Sequence, residues 1–143
     1  MISKQSSYTN WEFWREWGMS REEFDEYYCD AILNDDLFLR APVSYEVRTT
    51  INLLKDMGYE IILCTVRGVG LAPDVETAAQ SQTLQWLKEN RINYDEIIFS
   101  TNKSDADSFC FFDDNIQNYE ALEQTQKCVP WLFTLPYNES YGG

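Results

Sequence analysis

The chain has 143 residues, 24 acidic and 11 basic side chains and no histidine, for a net charge of −13. That length suits one compact unit with a real core, and 44% hydrophobic with 15% aromatic residues argues against wholesale disorder. So acidic a surface repels phosphate backbones and anionic membranes, and the missing histidine removes Ser-His-Asp, Cys-His and histidine-zinc chemistry, leaving carboxylates, Lys, Ser/Thr, Cys and a hard metal ion.

In chain order, residues 1–40 are acidic and aromatic, with Trp11, Phe13, Trp14, Trp17, Phe24, Tyr27 and Tyr28 near helical spacing. Thr9 with Glu12 and Ser20 with Glu23 both have the spacing of a capping box, so two short helices are predicted at 10–17 and 21–32, separated by Gly18. Core packing is the default role of these aromatics, with a stacking surface for a base or partner as the alternative.

From Pro42 the pattern becomes regular. Ser44 to Met57 places Val47, Ile51 and Leu54 on one helical face, with Gly58 as the C-terminal cap. Glu60 to Thr65 reads as a strand, Val66 to Pro73 as a loop, and residues 75–90, with Leu84 and Leu87, as a helix. Further strands are predicted at Glu96–Ser100, Ser108–Phe112 and Val129–Leu135, with a helix carrying Ile116, Tyr119 and Leu122 before the last. The alternation implies an α/β fold with a mainly parallel sheet covered on both faces. Cys29, Cys64, Cys110 and Cys128 form no CxxC pair and read as reduced packing residues. With no secretory h-region and no apolar run near the ~20 residues of a membrane span, a cytoplasmic location is expected.

Ligands of open parallel α/β sheets bind beyond the carboxyl ends of the strands. There the sequence places Thr65 and Arg67 after one strand, Lys103 after another, and Asp113-Asp114 after a third. A hydroxyl and an ammonium suit phosphate oxygens, and an aspartate pair suits Mg²⁺.

The stretch Tyr59 to Arg67, then Gln85-Trp86-Leu87, Tyr94 to Phe99, Lys103, and Phe111 to Asn115 resembles the haloacid dehalogenase-like (HAD) phosphohydrolases. Within them it is most similar to the cytosolic and phage 5′(3′)-deoxyribonucleotidase branch, whose ending Leu135 to Asn138 also resembles. The resemblance implies a three-layer, Rossmann-like core at 41–143 behind a helical, cap-like segment at 1–40. It implies Thr65 as the hydroxyl holding the transferring phosphate and Lys103 as the neutralising cation. Asp113 would be a Mg²⁺ ligand, Asp114 a partner of the metal or the lysine, and Arg67 a substrate-side residue.

The family's nucleophile lies on an Asp-x-Asp motif at the end of its first, central strand, and the first aspartate forms an aspartyl-phosphate. Residues 1–10 contain no aspartate and no apolar run, and the first aspartate of the chain is Asp25, inside a predicted helix. The expectation is therefore a HAD-like fold without its first central strand, binding a phosphate or nucleotide as a binding or regulatory module, with Mg²⁺ weak or lost. The alternative is a Mg²⁺-dependent nucleotidase or phosphatase of small phosphomonoesters whose nucleophile strand is missing from this chain or supplied in trans. The gap should be closed by direct pairing of the flanking strands, by residues 1–8, or by a strand-donating partner or second copy. Compensation inside the monomer is the expected outcome.

Overall fold

Ser20 and Glu23 close the first helix reciprocally. The Glu23 amide donates to Ser20 Oγ at 3.1 Å and the Ser20 amide to Glu23 Oε2 at 2.8 Å. This is the box read from the sequence, and it starts α1 (Arg21–Asn34). A computed structural model describes residues 12–142, so the Thr9 half of the other expected box lies outside the described residues. Upstream of α1, Phe13–Trp17 forms a 3-10 turn rather than an α-helix, ended by Gly18 at φ 72°. Five residues closed by a left-handed glycine are too few for a stable α-helical nucleus.

The remaining elements follow the alternation. Helix α2 (Tyr45–Asp56) starts on Ser44, whose side chain accepts from the Val47 amide. It ends in a turn where Gly58, at φ 90°, donates to the Lys55 carbonyl. Strand β1 (Ile62–Thr65) leads through a loop to α3 (Pro73–Glu89), with Pro73 at the helix start where no amide is missed. Then come β2 (Glu96–Phe99), a 3-10 turn at Lys103–Asp105, β3 (Cys110–Asp113), α4 (Ile116–Thr125) and β4 (Val129–Leu132). A last 3-10 turn covers Glu139–Gly142. Helix α4 is capped by Asn115, whose side chain accepts from the Gln117 and Asn118 amides.

The protein is thus mixed α/β with parallel strands, but the strands form two separate two-stranded sheets, β1–β2 and β3–β4. In the first, Ile62 pairs with Glu96 and Thr65 with Phe99; in the second, Cys110 pairs with Val129 and Asp113 with Leu132. The strands expected at 60–64 and 108–112 to flank the absent one correspond to β1 and β3, whose direct pairing is not among these ladders, and residues 1–8 lie outside the described residues. The chain divides accordingly into two units. One joins residues up to Phe24 with Asp107–Gly143, and the other is Asp25–Ala106.

In the Asp25–Ala106 unit, Ile32, Phe38, Val75 and Ala79 form a buried cluster backed by Tyr28, Leu37 and Leu71. Gln82 ties its edges together. Its side chain donates to the Ile32 carbonyl at 2.6 Å and accepts from the Phe38 amide at 3.2 Å, so a buried amide satisfies two main-chain groups. Gly68, at φ 82°, packs so closely on α3 that a Cβ there would lie 2.9 Å from Ala79 Cβ. In the other unit, buried Trp14 stacks on Phe24 with ring centroids 5.0 Å apart, the packing role read from spacing. Trp17 and Tyr27, of the same aromatic set, are exposed. Helix α4 covers one face of β3–β4, and Leu122 is buried there. Among the described residues Phe112 is 69% exposed and Trp131 56%, where the sequence pattern suggested burial. Cys29, Cys64, Cys110 and Cys128 form no disulfide with one another. Among the described residues no helix is long and apolar enough to cross a membrane.

Candidate functional site

Three of the five residues singled out in the sequence belong to the Asp25–Ala106 unit and gather at the carboxyl end of β1. Ladder geometry explains how. In a parallel pair, alternate residues of a strand turn both backbone groups toward the partner. Asp95 and Ser100 donate to the carbonyls of Ile61 and Thr65, so these residues face β2, and Ile62 and Cys64 face the other edge. The Cys64 carbonyl on that edge is taken by Lys103, whose Nζ lies 3.0 Å away.

Lys103 is held there by a tight turn. Ser100 Oγ accepts from the Asn102 amide at 3.0 Å, Asn102 Oδ1 from the Ser104 amide at 3.1 Å, and the Asp105 carboxylate from both Ser100 Oγ and Asn102 Nδ2. The ammonium makes no ion pair among the described residues. One of its three donors is spent on Cys64, and two remain for an anion. Next along the chain, Thr65 Oγ1 accepts from the Arg67 amide at 3.4 Å, which leaves its hydroxyl proton free to donate.

Arg67, expected as a substrate-side residue, packs on aromatic rings. Its guanidinium lies over the Phe38 ring, 4.6 Å from the centroid, and 6.0 Å from that of Trp86. Trp86 is itself fixed by a bond from its indole nitrogen to the Ala41 carbonyl at 2.7 Å. Burial pulls the Arg67 pKa below its ordinary value, opposed by the nearby Tyr28 phenol, yet a guanidinium remains charged. It makes no ion pair among the described residues. Both ring distances lie within the range of cation–π attraction.

Asp113 and Asp114 belong to the other unit, where both carboxylates already have protein partners. Asp113 Oδ1 accepts from the Asn115 amide at 2.8 Å, and Asn118 Nδ2 reaches both Asp113 oxygens at 3.2 and 3.1 Å. Asp114 accepts the Tyr137 phenol in a short bond. Burial first, and then this carboxylate, push the Tyr137 pKa up, so the phenol stays protonated and donating. Asn138, only 2% exposed, completes the clasp by donating to the Asp114 and Phe133 carbonyls and accepting from the Leu135 amide. The sequence pointed to Leu135–Asn138 by resemblance alone. Its physical role is to lock the C-terminal segment onto the loop after β3.

Among the described residues no group of three or more Asp, Glu or Cys side chains is placed to hold a metal ion. One aspartate whose lone pairs are shared with two amide donors offers a divalent ion needing six oxygens little beyond water. Sequence reading also passed over Asp95. Its carboxylate accepts from Lys55 Nζ at 2.5 and 2.7 Å and from the Ile61 amide at 2.7 Å, and so fixes the start of β1. An acid just before a strand was the only available signal. No family model, curated protein or solved structure matches the chain.

Proposed function

We propose that the chain is a HAD-like, nucleotidase-related protein that binds a phosphate or nucleotide without hydrolysing it, as a binding or regulatory module. The observation that carries this reading is the Lys103 ammonium held on the Cys64 carbonyl, one residue before Thr65. In a chain with 24 acidic side chains, a lysine anchored by a carbonyl rather than a carboxylate keeps its charge for an outside anion. Thr65 supplies a neighbouring hydroxyl donor. The dianion of a phosphomonoester accepts several such bonds, and salt screens the repulsion from acidic side chains farther away.

The sequence supports the absence of turnover. The aspartyl-phosphate route needs a carboxylate nucleophile at a strand end, and Asp113 and Asp114 are engaged by Asn115, Asn118 and Tyr137. In this reading Mg²⁺ is bound weakly or not at all. A second reading, a Mg²⁺-dependent phosphatase completed by a strand from another chain, is favoured by one observation. The edge of β1 opposite β2 carries no strand among the described residues.

The two readings separate in one assay. Under the first, deoxynucleoside monophosphates bind and come back intact with or without Mg²⁺. Mg²⁺-dependent hydrolysis that disappears in Asp113→Asn rejects the first reading in favour of the second.

A further inference from the structure

The outer edge of β4 borders a groove of about 680 Å³, lined by Pro130, Trp131 and Leu132 of the strand and by Tyr119, Glu139 and Tyr141. All of these belong to one unit. Val129 and Phe133 donate their amides to the Phe109 carbonyl just before β3 and the Asp113 carbonyl at its end, so alternation turns Pro130, Leu132 and Thr134 toward the opposite edge. Among the described residues the Leu132 amide and carbonyl, the Pro130 carbonyl and the Thr134 amide have no main-chain partner. A strand edge offers such groups to any chain that can lie alongside it in extended form.

The groove has aromatic walls and an acidic rim. Tyr119 and Tyr141 meet edge to face at 6.0 Å, and their phenols donate to Glu123 and Glu120 at 3.2 and 2.8 Å. Glu139 lines the groove itself, in a chain of net charge −13. Such a rim selects a cationic visitor. A second copy is a poor one, because it brings the same −13, and because Pro130 removes one donor from the edge that two copies would share.

We propose that the β4 edge groove binds an extended, basic peptide segment of a partner protein, which adds as a strand beside Leu132. Up to four main-chain bonds hold it: two at Leu132, one to the Pro130 carbonyl and one from the Thr134 amide. Alternate side chains of the visitor meet the Trp131 and tyrosine surfaces, and its cations meet Glu139 and the glutamates on Tyr119 and Tyr141.

The probe is a synthetic nonapeptide of alternating Lys and Val with a central Phe, titrated into the full chain and followed by amide resonances and hydrogen exchange. Saturable binding that slows exchange of the Leu132 and Thr134 amides and weakens with added salt is expected. Thr134→Pro, which removes one edge donor, and Glu139→Lys, an exposed change that leaves the fold alone, should each weaken it about tenfold. The idea is overturned by no binding to a chain with native resonances, by binding that leaves those amides unprotected, or by equal binding of a peptide with Glu in place of Lys. A concentration-dependent dimer that protects the same two amides would overturn it in favour of a second copy.

Discussion

Lys103 reaches the Cys64 carbonyl across 39 residues of sequence, closing at 3.0 Å on the edge of β1 that β2 leaves open. The bond does two things: it satisfies an edge carbonyl and it fixes an ammonium beside Thr65. Lys103→Met should therefore lower affinity for a phosphomonoester by about tenfold or more, the worth of one charge-assisted bond. Lys103→Arg should recover only part of it, because a planar fork does not replace a point charge in the same space. Calorimetric titration of both variants checks this, with far-UV circular dichroism to show that the strand persists.

Gln82 is a structural counterpart within the same unit. Gln82→Leu keeps much of the volume but leaves the Ile32 carbonyl and the Phe38 amide without partners. At roughly 1–3 kcal/mol for each of the two orphaned buried groups, a loss of about 2–6 kcal/mol is expected in urea unfolding. A loss well below 1 kcal/mol would mean that water reaches these groups.

The capping box makes a smaller claim. Ser20→Ala removes the acceptor of the Glu23 amide and should cost about 1 kcal/mol, with Ser20→Asp close to neutral. Thermal unfolding of the two variants side by side distinguishes loss of the cap from a general effect of the substitution.

Asp95 sets an acid limb. The hydrogen bond from Lys55, then that from the Ile61 amide, hold its pKa below the ordinary 3.8. A carboxyl whose folded pKa is depressed stabilises the fold fully above its unfolded pKa and loses that contribution as pH falls through the folded value. Wild type should therefore exceed Asp95→Asn in stability near neutral pH. The gap should close below pH 3.8, and denaturant midpoints from neutral down to strongly acid pH follow it. A gap unchanged down to the lowest pH would show that the side-chain geometry, not the charge, matters.

The cap at Ser20 and the strand–helix alternation were legible because each depends on residues close in sequence, whereas the caps at Ser44 and Asn115 were not read there. The division into two sheets was not, since an apolar run such as Ile61–Cys64 signals a strand without naming its neighbour. The exposure of Phe112 and Trp131 was not legible for the same reason: apolar residues in a strand read as buried whatever lies beside them. At the site, sequence order put Thr65, Arg67 and Lys103 at strand ends, and all three lie at or just beyond them. What it could not reveal was that the Arg67 guanidinium rests on Phe38 and that Asp114 is taken by Tyr137. Those contacts depend on side chains many residues away.

Binding and turnover of one deoxynucleoside monophosphate, measured in the same tube, test the central claim most directly. The ligand is titrated calorimetrically in Mg²⁺ buffer and the recovered nucleotide is then assayed for free phosphate. Saturable binding that Lys103→Met weakens, with no phosphate released, is the expected result. Mg²⁺-dependent phosphate release abolished by Asp113→Asn, or no binding at all by the folded chain, would contradict it.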